Sequence, residues 1–271
     1  EITPKTLTAT VTTQNRAYDG TTDGTITGCT LSGVVGTEDV TCVTSGATAT
    51  FDTKHIGTAK SVTIAGLTKG GSATLANYTL ASGASSSANI TTRAITVTAT
   101  TGSKAYDGTT SSAGTPTITT GSLATGDSVT WTQTYDTANA GTGKTLTPAG
   151  TVSDGNAGAD YAVTYATVTT GAITPKTLTA TVTTQNRAYD GTTDGTITGC
   201  TLSGVIGTED VTCVTSGATA TFDTKHIGTA KTVTIAGLTT GGSATLANYT
   251  LRSEEHTSEL QSHLNLVCRL L

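Results

Sequence analysis

Leu7-Thr8-Ala9-Thr10-Val11-Thr12 alternates apolar and hydroxyl side chains with a period of two. Successive side chains of a strand point to opposite faces. The pattern therefore puts Leu7, Ala9 and Val11 on one face and the threonines on the other. Thr is β-branched and stiff at χ1, which suits a pleated surface. Ile95-Thr96-Val97-Thr98-Ala99-Thr100 repeats the alternation. Both stretches predict strands with one face on a core and one in water. Further strands are expected near 24–31, 38–45, 47–52, 60–67 and 77–80, with a closing strand near 86–92. Gly-containing breaks at Asp19-Gly20, Ser32-Gly33 and Lys69-Gly70-Gly71 separate them. No stretch carries a helical period.

Composition agrees. Thr supplies 72 of 271 residues and Gly 32, while aromatics make up 4% and charged residues 12%. The net charge of −5 leaves no basic patch to displace counterions from phosphate, so nucleic acid is not an expected partner. No apolar run approaches the roughly 20 residues of a membrane helix.

Self-comparison sets the domain organisation. Residues 2–80 recur at 173–251 with three differences: Val35 becomes Ile206, Ser61 becomes Thr232 and Lys69 becomes Thr240. A diverged copy lies between them. Arg16-Ala17-Tyr18-Asp19-Gly20-Thr21-Thr22 returns as Lys104-Ala105-Tyr106-Asp107-Gly108-Thr109-Thr110, and again from Arg187 to Thr193. The spacings are 88 and 83 residues, too long for solenoid coils and right for a small all-β domain. The expected fold class is all-β: tandem small β-sandwich domains in an extended array. A parallel β-helix is the alternative, but no sub-repeat of about 20 residues supports it. The expected domains are 1–89, 90–172 and 173–251, followed by a tail of 252–271.

Small cores often need a staple. Cys29 and Cys42 in repeat one match Cys200 and Cys213 in repeat three. In the middle repeat both positions change together, to Ile118 and Trp131. Joint replacement by an apolar pair is what side chains touching across strands would show. A disulfide in each outer repeat is the favoured reading, and it implies an oxidising compartment. Free buried thiols and a metal pair are the alternatives, the metal disfavoured because no Cys-x-x-Cys or His partner stands nearby.

Tyr18-Asp19-Gly20, Tyr106-Asp107-Gly108 and Tyr189-Asp190-Gly191 are read as structural corners. Asp can cap a turn, Gly accepts positive φ, and the Tyr hydroxyl is expected to tie back to backbone. Asp19, Thr21, Asp23 and Gly24 also faintly mimic a calcium loop. Its twelfth position is Thr30 rather than Glu, and the middle repeat has Ser111 where Asp23 stands. A second block, Phe51-Asp52-Thr53-Lys54-His55-Ile56-Gly57-Thr58-Ala59-Lys60, returns in the middle repeat as Tyr135 to Lys144 and fits a hairpin. His55 becomes Asn139 there, so it reads as an ordinary loop residue. Asn77-Tyr78 recurs as Asp160-Tyr161 and Asn248-Tyr249, a turn followed by a core aromatic. Asn77-Tyr78-Thr79 is formally a glycosylation sequon.

Ile2-Thr3-Pro4-Lys5-Thr6-Leu7, Ala17-Tyr18-Asp19-Gly20-Thr21-Thr22 and Asn77-Tyr78-Thr79-Leu80 together resemble the YDG domain, which is similar to the MBG repeats of large bacterial surface proteins. Such repeats occur in filamentous-haemagglutinin-like adhesins. The resemblance spans 2–251 and implies an extracellular, outer-membrane-associated stalk with no catalytic residues and no cofactor. Residues 252–271 break the composition of everything before them and resemble a translated sequencing adapter, so they are set aside as non-native. Without them repeat three lacks its closing strand, which predicts an unprotected sheet edge.

The expected function is that of a spacer whose partners are neighbouring repeats of the same chain. The alternative is that the repeats themselves bind a host-surface glycan or protein. An enzyme is not expected, because no acid–base pair, nucleophile constellation or phosphate loop recurs. Ice binding through Thr-x-Thr rows is a remote third reading, since residues 8, 10 and 12 make only one short row.

Overall fold

The alternating stretch forms β1 (Lys5–Thr13), with Leu7 and Val11 buried and the threonines between them largely outward. This is a computed structural model, and it describes residues 1–252 and 256–259. Repeat one continues through β2 (Arg16–Ala17), β3 (Asp23–Gly24), β4 (Ile26–Ser32), β5 (Thr41–Val43), β6 (Thr48–Phe51), β7 (Gly57–Ala65), β8 (Thr68–Gly70), β9 (Tyr78–Leu80) and β10 (Ser85–Thr91). The long strands fall where the alternation places them. The two-residue strands β2 and β3 carry no period and are not legible in advance.

Two sheets result. One has the order β4-β1-β9; the other runs β2-β10-β7-β6-β3. β1 is antiparallel to β4, with Val11 opposite Cys29, and parallel to β9, with Leu7 opposite Leu80. β6 and β7 form the hairpin expected from the second block, with Phe51 opposite Val62. Val11 from the first sheet packs in one core with Ala49, Phe51, Val62, Ile64, Ala88 and Ile90 from the second. Each large apolar side chain so buried contributes roughly 1.5–3 kcal/mol. Repeat one is thus a two-sheet sandwich, and the fold of the chain is all-β.

β10 passes to β11 (Arg93–Thr98), the first strand of the middle repeat, through Thr92 alone. The same economy recurs later: Val168–Thr174 passes to Lys176–Thr184 through Pro175. The closing strand expected near 86–92 is β10, which begins at Ser85.

The described residues fall into two compact units. The first comprises 1–100, 115–133 and 147–167; the second comprises 101–114, 134–146 and the described residues from 168 onward. In the first unit β11 pairs in parallel with Tyr161–Ala166 and antiparallel with Thr117–Thr120. In the second, Val168–Thr174 pairs in parallel with Ser103–Ala105 and antiparallel with residues 141–146.

Repeat three, within the second unit, keeps the register of repeat one. Val182 lies opposite Cys200, and Leu178 opposite Leu251. It differs at one edge. Thr232–Ala236 has five residues where β7 has nine, and 187–188 form no strand. The edge predicted to be open is covered. His256–Glu259 pairs antiparallel with Thr232–Ala236, in the place β10 holds in repeat one. Strand pairing uses backbone groups, so a segment of foreign composition can still occupy an exposed edge. The other residues of the 252–271 tail, Arg252 apart, lie outside those described.

Cys29 and Cys42 are joined across β4 and β5 with Cα atoms 5.8 Å apart, and Cys200 and Cys213 are joined with the same separation. Ile118 lies opposite Val97 as Cys29 lies opposite Val11. Trp131 packs edge-on to Tyr165, ring centroids 6.2 Å apart. Among the described residues no helix is long and apolar enough to cross a membrane.

Candidate functional site: the tyrosine junction

The Asp of each Tyr-Asp-Gly motif closes its own turn. Asp19 Oδ1 accepts from the Thr21 N–H at 2.9 Å and from the Thr21 hydroxyl at 2.9 Å, and it pairs with the Arg16 guanidinium. Gly20 takes φ +85°, the left-handed conformation that residues with a Cβ resist. Asp107 binds Lys104 Nζ at 2.7 Å and the Thr109 N–H at 2.9 Å; Asp190 pairs with Arg187 and Thr192. Lys104 holds the Asp107 carboxyl down at about 2, and Arg187 does the same to Asp190. Burial works against ionisation of Asp19, yet the Arg16 and Thr21 bonds prevail and lower it. These carboxylates face a fixed cation. The calcium-loop reading would need Asp19 turned away from Arg16.

Tyr18 does not tie back to backbone. It is fully buried, and its ring meets Tyr161 edge to face, centroids 5.5 Å apart at 72°. One carboxylate bridges the two rings. The Tyr18 hydroxyl donates to Asp127 Oδ1 at 3.3 Å and the Tyr161 hydroxyl to Asp127 Oδ2 at 2.7 Å. Tyr161 also accepts from the Ala124 N–H at 2.7 Å. Lys54 Nζ lies 3.6 Å from Asp127 and sits over the Tyr18 ring. Beside this group, buried Asp160 accepts from the Ile56 N–H at 2.9 Å and from His55 Nδ1 at 2.6 Å. Asp160 is held in place from behind: Asp154 accepts from the N–H groups of Asn156, Gly158 and Asp160. Tyr18, Lys54, His55 and Ile56 belong to repeat one, and Asp127, Asp160 and Tyr161 to the middle repeat.

The second unit contains the same arrangement built from other residues. Tyr106 meets Tyr249 edge to face, centroids 5.4 Å apart at 79°. Glu209 accepts from Tyr106 at 2.6 Å and from Tyr249 at 2.8 Å. Asn248 accepts from the Ala140 N–H at 2.8 Å and donates to Asn139 at 3.1 Å. Here Tyr106 and Asn139 come from the middle repeat, and Glu209, Asn248 and Tyr249 from repeat three.

The glycines complete the fit. A Cβ on Gly20 would lie 3.1 Å from Ala124 Cβ, and one on Gly108 would lie 3.1 Å from Ile206 Cγ2. Gly thus suits the close approach as well as the φ, since a Cβ would press on its neighbour at either position. Proximity to Glu209, then burial, pushes Tyr106 up to about 12. Burial, then Asp127, pushes Tyr161 up to about 12. Edge-to-face rings add about 0.5–1.5 kcal/mol beyond their buried area, and hydrogen bonds to a carboxylate about 1.5–3 each.

Each half of the junction also occurs without its mate. In repeat three Tyr189 is 62% exposed and Ile227 88% exposed, and a Cβ on Gly191 would meet open space. In repeat one the Tyr78 hydroxyl donates to Glu38 at 2.7 Å and accepts from the Val35 N–H at 3.1 Å, and among the described residues no motif tyrosine stands beside it.

A family model for the YDG domain matches residues 3–87, 91–170 and 174–258. The chain belongs to the YDG domain family. No curated protein and no solved structure matches it. In the first two of these YDG repeats the motif tyrosine serves the join to the following repeat, while the motif aspartate serves its own turn in all three. His55, read from the sequence as an ordinary loop residue, lies in that join instead. The sign that could have found it was present: His55, Asn139 and His226 alternate along the chain, as do Asn77, Asp160 and Asn248. Among the described residues no group of three or more His, Cys, Asp or Glu side chains is placed to hold a metal ion.

Proposed function

We propose that these YDG repeats are spacer units in the stalk of a secreted bacterial surface adhesin. The observation that carries the reading is the duplicated tyrosine junction. Successive repeats are joined through one residue, Thr92 or Pro175, and sealed by a buried Tyr–carboxylate–Tyr group. A short, sealed connection resists bending and suits an extended array that holds a distal tip away from a cell. Most side-chain chemistry of the motifs is spent inside turns and junctions, which fits a role without catalysis. The disulfides fit an oxidising exterior.

Two measurements test it. Antibodies raised against the purified chain should label intact producing bacteria, and the label should vanish after external protease. The purified chain should be silent on arrays of host glycans and matrix proteins. Labelling only after lysis would overturn the surface role. Saturable binding abolished by a surface substitution would favour repeats that are themselves adhesive.

A further inference from the structure

The two junctions match different residues, and the match is specific. In the first, a basic pair meets two short carboxylates: Lys54 faces Asp127 at 3.6 Å, and His55 faces Asp160 at 2.6 Å. In the second, Ala138 and Asn139 replace the basic pair, and Glu209 and Asn248 replace the aspartates. An ionisable ring thus faces a carboxylate, and an amide faces an amide. The position against the motif glycine changes as well, from Ala124 to Ile206.

Repeat three presents the first kind of donor face. Its Tyr189, Gly191, Lys225, His226 and Ile227 repeat Tyr18, Gly20, Lys54, His55 and Ile56 residue for residue. Among the described residues nothing covers this face in repeat three, where Ile227 is 88% exposed. We infer that it is a docking surface for a further YDG repeat of the middle type, one presenting Asp at the places of Asp127 and Asp160 and a small residue at that of Ala124. One aspartate complements Lys225 in charge, and the other offers an acceptor to the His226 ring, as Asp160 does to His55. A second copy of this chain offers a poorer match at its first repeat, because Glu38 and Asn77 stand there and His226 would meet an amide. The array so specified alternates outer-type and middle-type repeats.

The test continues residues 1–251 directly with residues 81–251, placing a second middle-type repeat after Leu251. Surface tyrosines are nitrated with tetranitromethane and located by mass spectrometry. In the 271-residue chain Tyr189 should be labelled, while Tyr18 and Tyr106, 0% and 5% exposed, should not. In the longer chain Tyr189 should lose its label to the level of Tyr18. Continued labelling of Tyr189, while the added copy of Tyr106 is protected and so shows the added repeats folded, overturns the inference. Protection of Tyr189 in the unextended chain as its concentration rises would also overturn it, since a second copy would then be the occupant. A further arm needs no added repeat. His55→Asn alone should admit label at Tyr18, and His55→Asn with Asp160→Asn should exclude it again by recreating the amide pair of the second junction. Failure of the double substitution to restore protection refutes the matching.

Discussion

Tyr18 and Tyr161 stand edge to face, ring centroids 5.5 Å apart, and both hydroxyls end on the one carboxylate of Asp127. The pair ties together two repeats whose backbones are separated by a single residue, Thr92. A tyrosine that looks like a corner within one domain is therefore a peg into the next.

The peg can be tested against its own copy. Tyr18 is fully buried, while Tyr189, in identical local sequence, is 62% exposed. Tyr18→Ala should cost about 3–5 kcal/mol, the usual loss for an excavated aromatic. Tyr189→Ala should stay within about 0.5 kcal/mol, as surface substitutions do. Denaturant titration with circular dichroism reads both. Equal losses at the two sites would mean that the tyrosine stabilises its own repeat and not the junction.

Alkali should open the junctions before it disturbs the sheets. Tyr106 and Tyr161 are pushed up to about 12 from an ordinary value of 10.0. A raised value means that the folded state prefers the neutral phenol. The stabilisation is therefore complete below about pH 10 and is lost as pH climbs toward 12. Tyrosinate absorbance should show Tyr106 and Tyr161 among a set of late-titrating groups that includes Tyr18, Tyr78 and Tyr249, and thermal stability should fall steeply between pH 10 and 12. Tyr106→Phe should flatten part of that fall; an unchanged slope would remove the Glu209 contact from the account.

How much of this was written in the sequence depends on the range of the interaction. The period-two runs located β1 and β11 because alternation is a local property. The joint change of Cys29 and Cys42 to Ile118 and Trp131 pointed to the cross-strand bridges, because the contact lies within one copy. The roles of Asp127, Asp160 and His55 were not read, although the pairing of His55 with Asp160 left a sign in the alternation of His55, Asn139 and His226 with Asn77, Asp160 and Asn248. Each is completed by a residue from another repeat, and a comparison that aligns copies one upon another hides contacts made between them. The strand at His256–Glu259 was missed for a different reason: pairing an edge asks for an extended backbone, not for a composition.

The bridges should carry a measurable share of the outer repeats' stability. Cys29–Cys42 and Cys200–Cys213 each span a sequence separation of 13, for which chain entropy predicts about 3 kcal/mol. Cys29→Ser with Cys42→Ser should lower the stability of repeat one by about 2–4 kcal/mol, read by hydrogen exchange of β1 and β4 amides. The middle repeat, with Ile118 and Trp131 in place of the pair, supplies an internal reference that reduction should not touch. Quantitative alkylation of these four thiols in unreduced protein would refute the pairing.

Ala59 offers a test in which a substitution should improve the fold. It sits at φ 49°, in the left-handed region, where the register of β7 against β10 slips so that Thr58 and Ala59 oppose Asn89. The Ala59 N–H is held there by Asn89 Oδ1 at 2.8 Å. Ala230 in repeat three repeats the conformation at φ 51°. The middle repeat has the same irregularity beside Gly143, at φ 70°, and there the residue has no Cβ to strain. Left-handed backbone costs an L-residue roughly 1–2 kcal/mol, and glycine's extra freedom in the unfolded chain gives back about 0.5–1. Ala59→Gly should therefore stabilise repeat one by up to about 1 kcal/mol, and Gly143→Ala should destabilise its own turn by a similar amount. Unfolding of the Ala59→Gly chain can be followed by the fluorescence of Trp131, the single tryptophan, which shares a compact unit with β7. A loss of more than about 1 kcal/mol on introducing glycine would show that the Ala59 methyl makes a contact worth more than the strain it imposes.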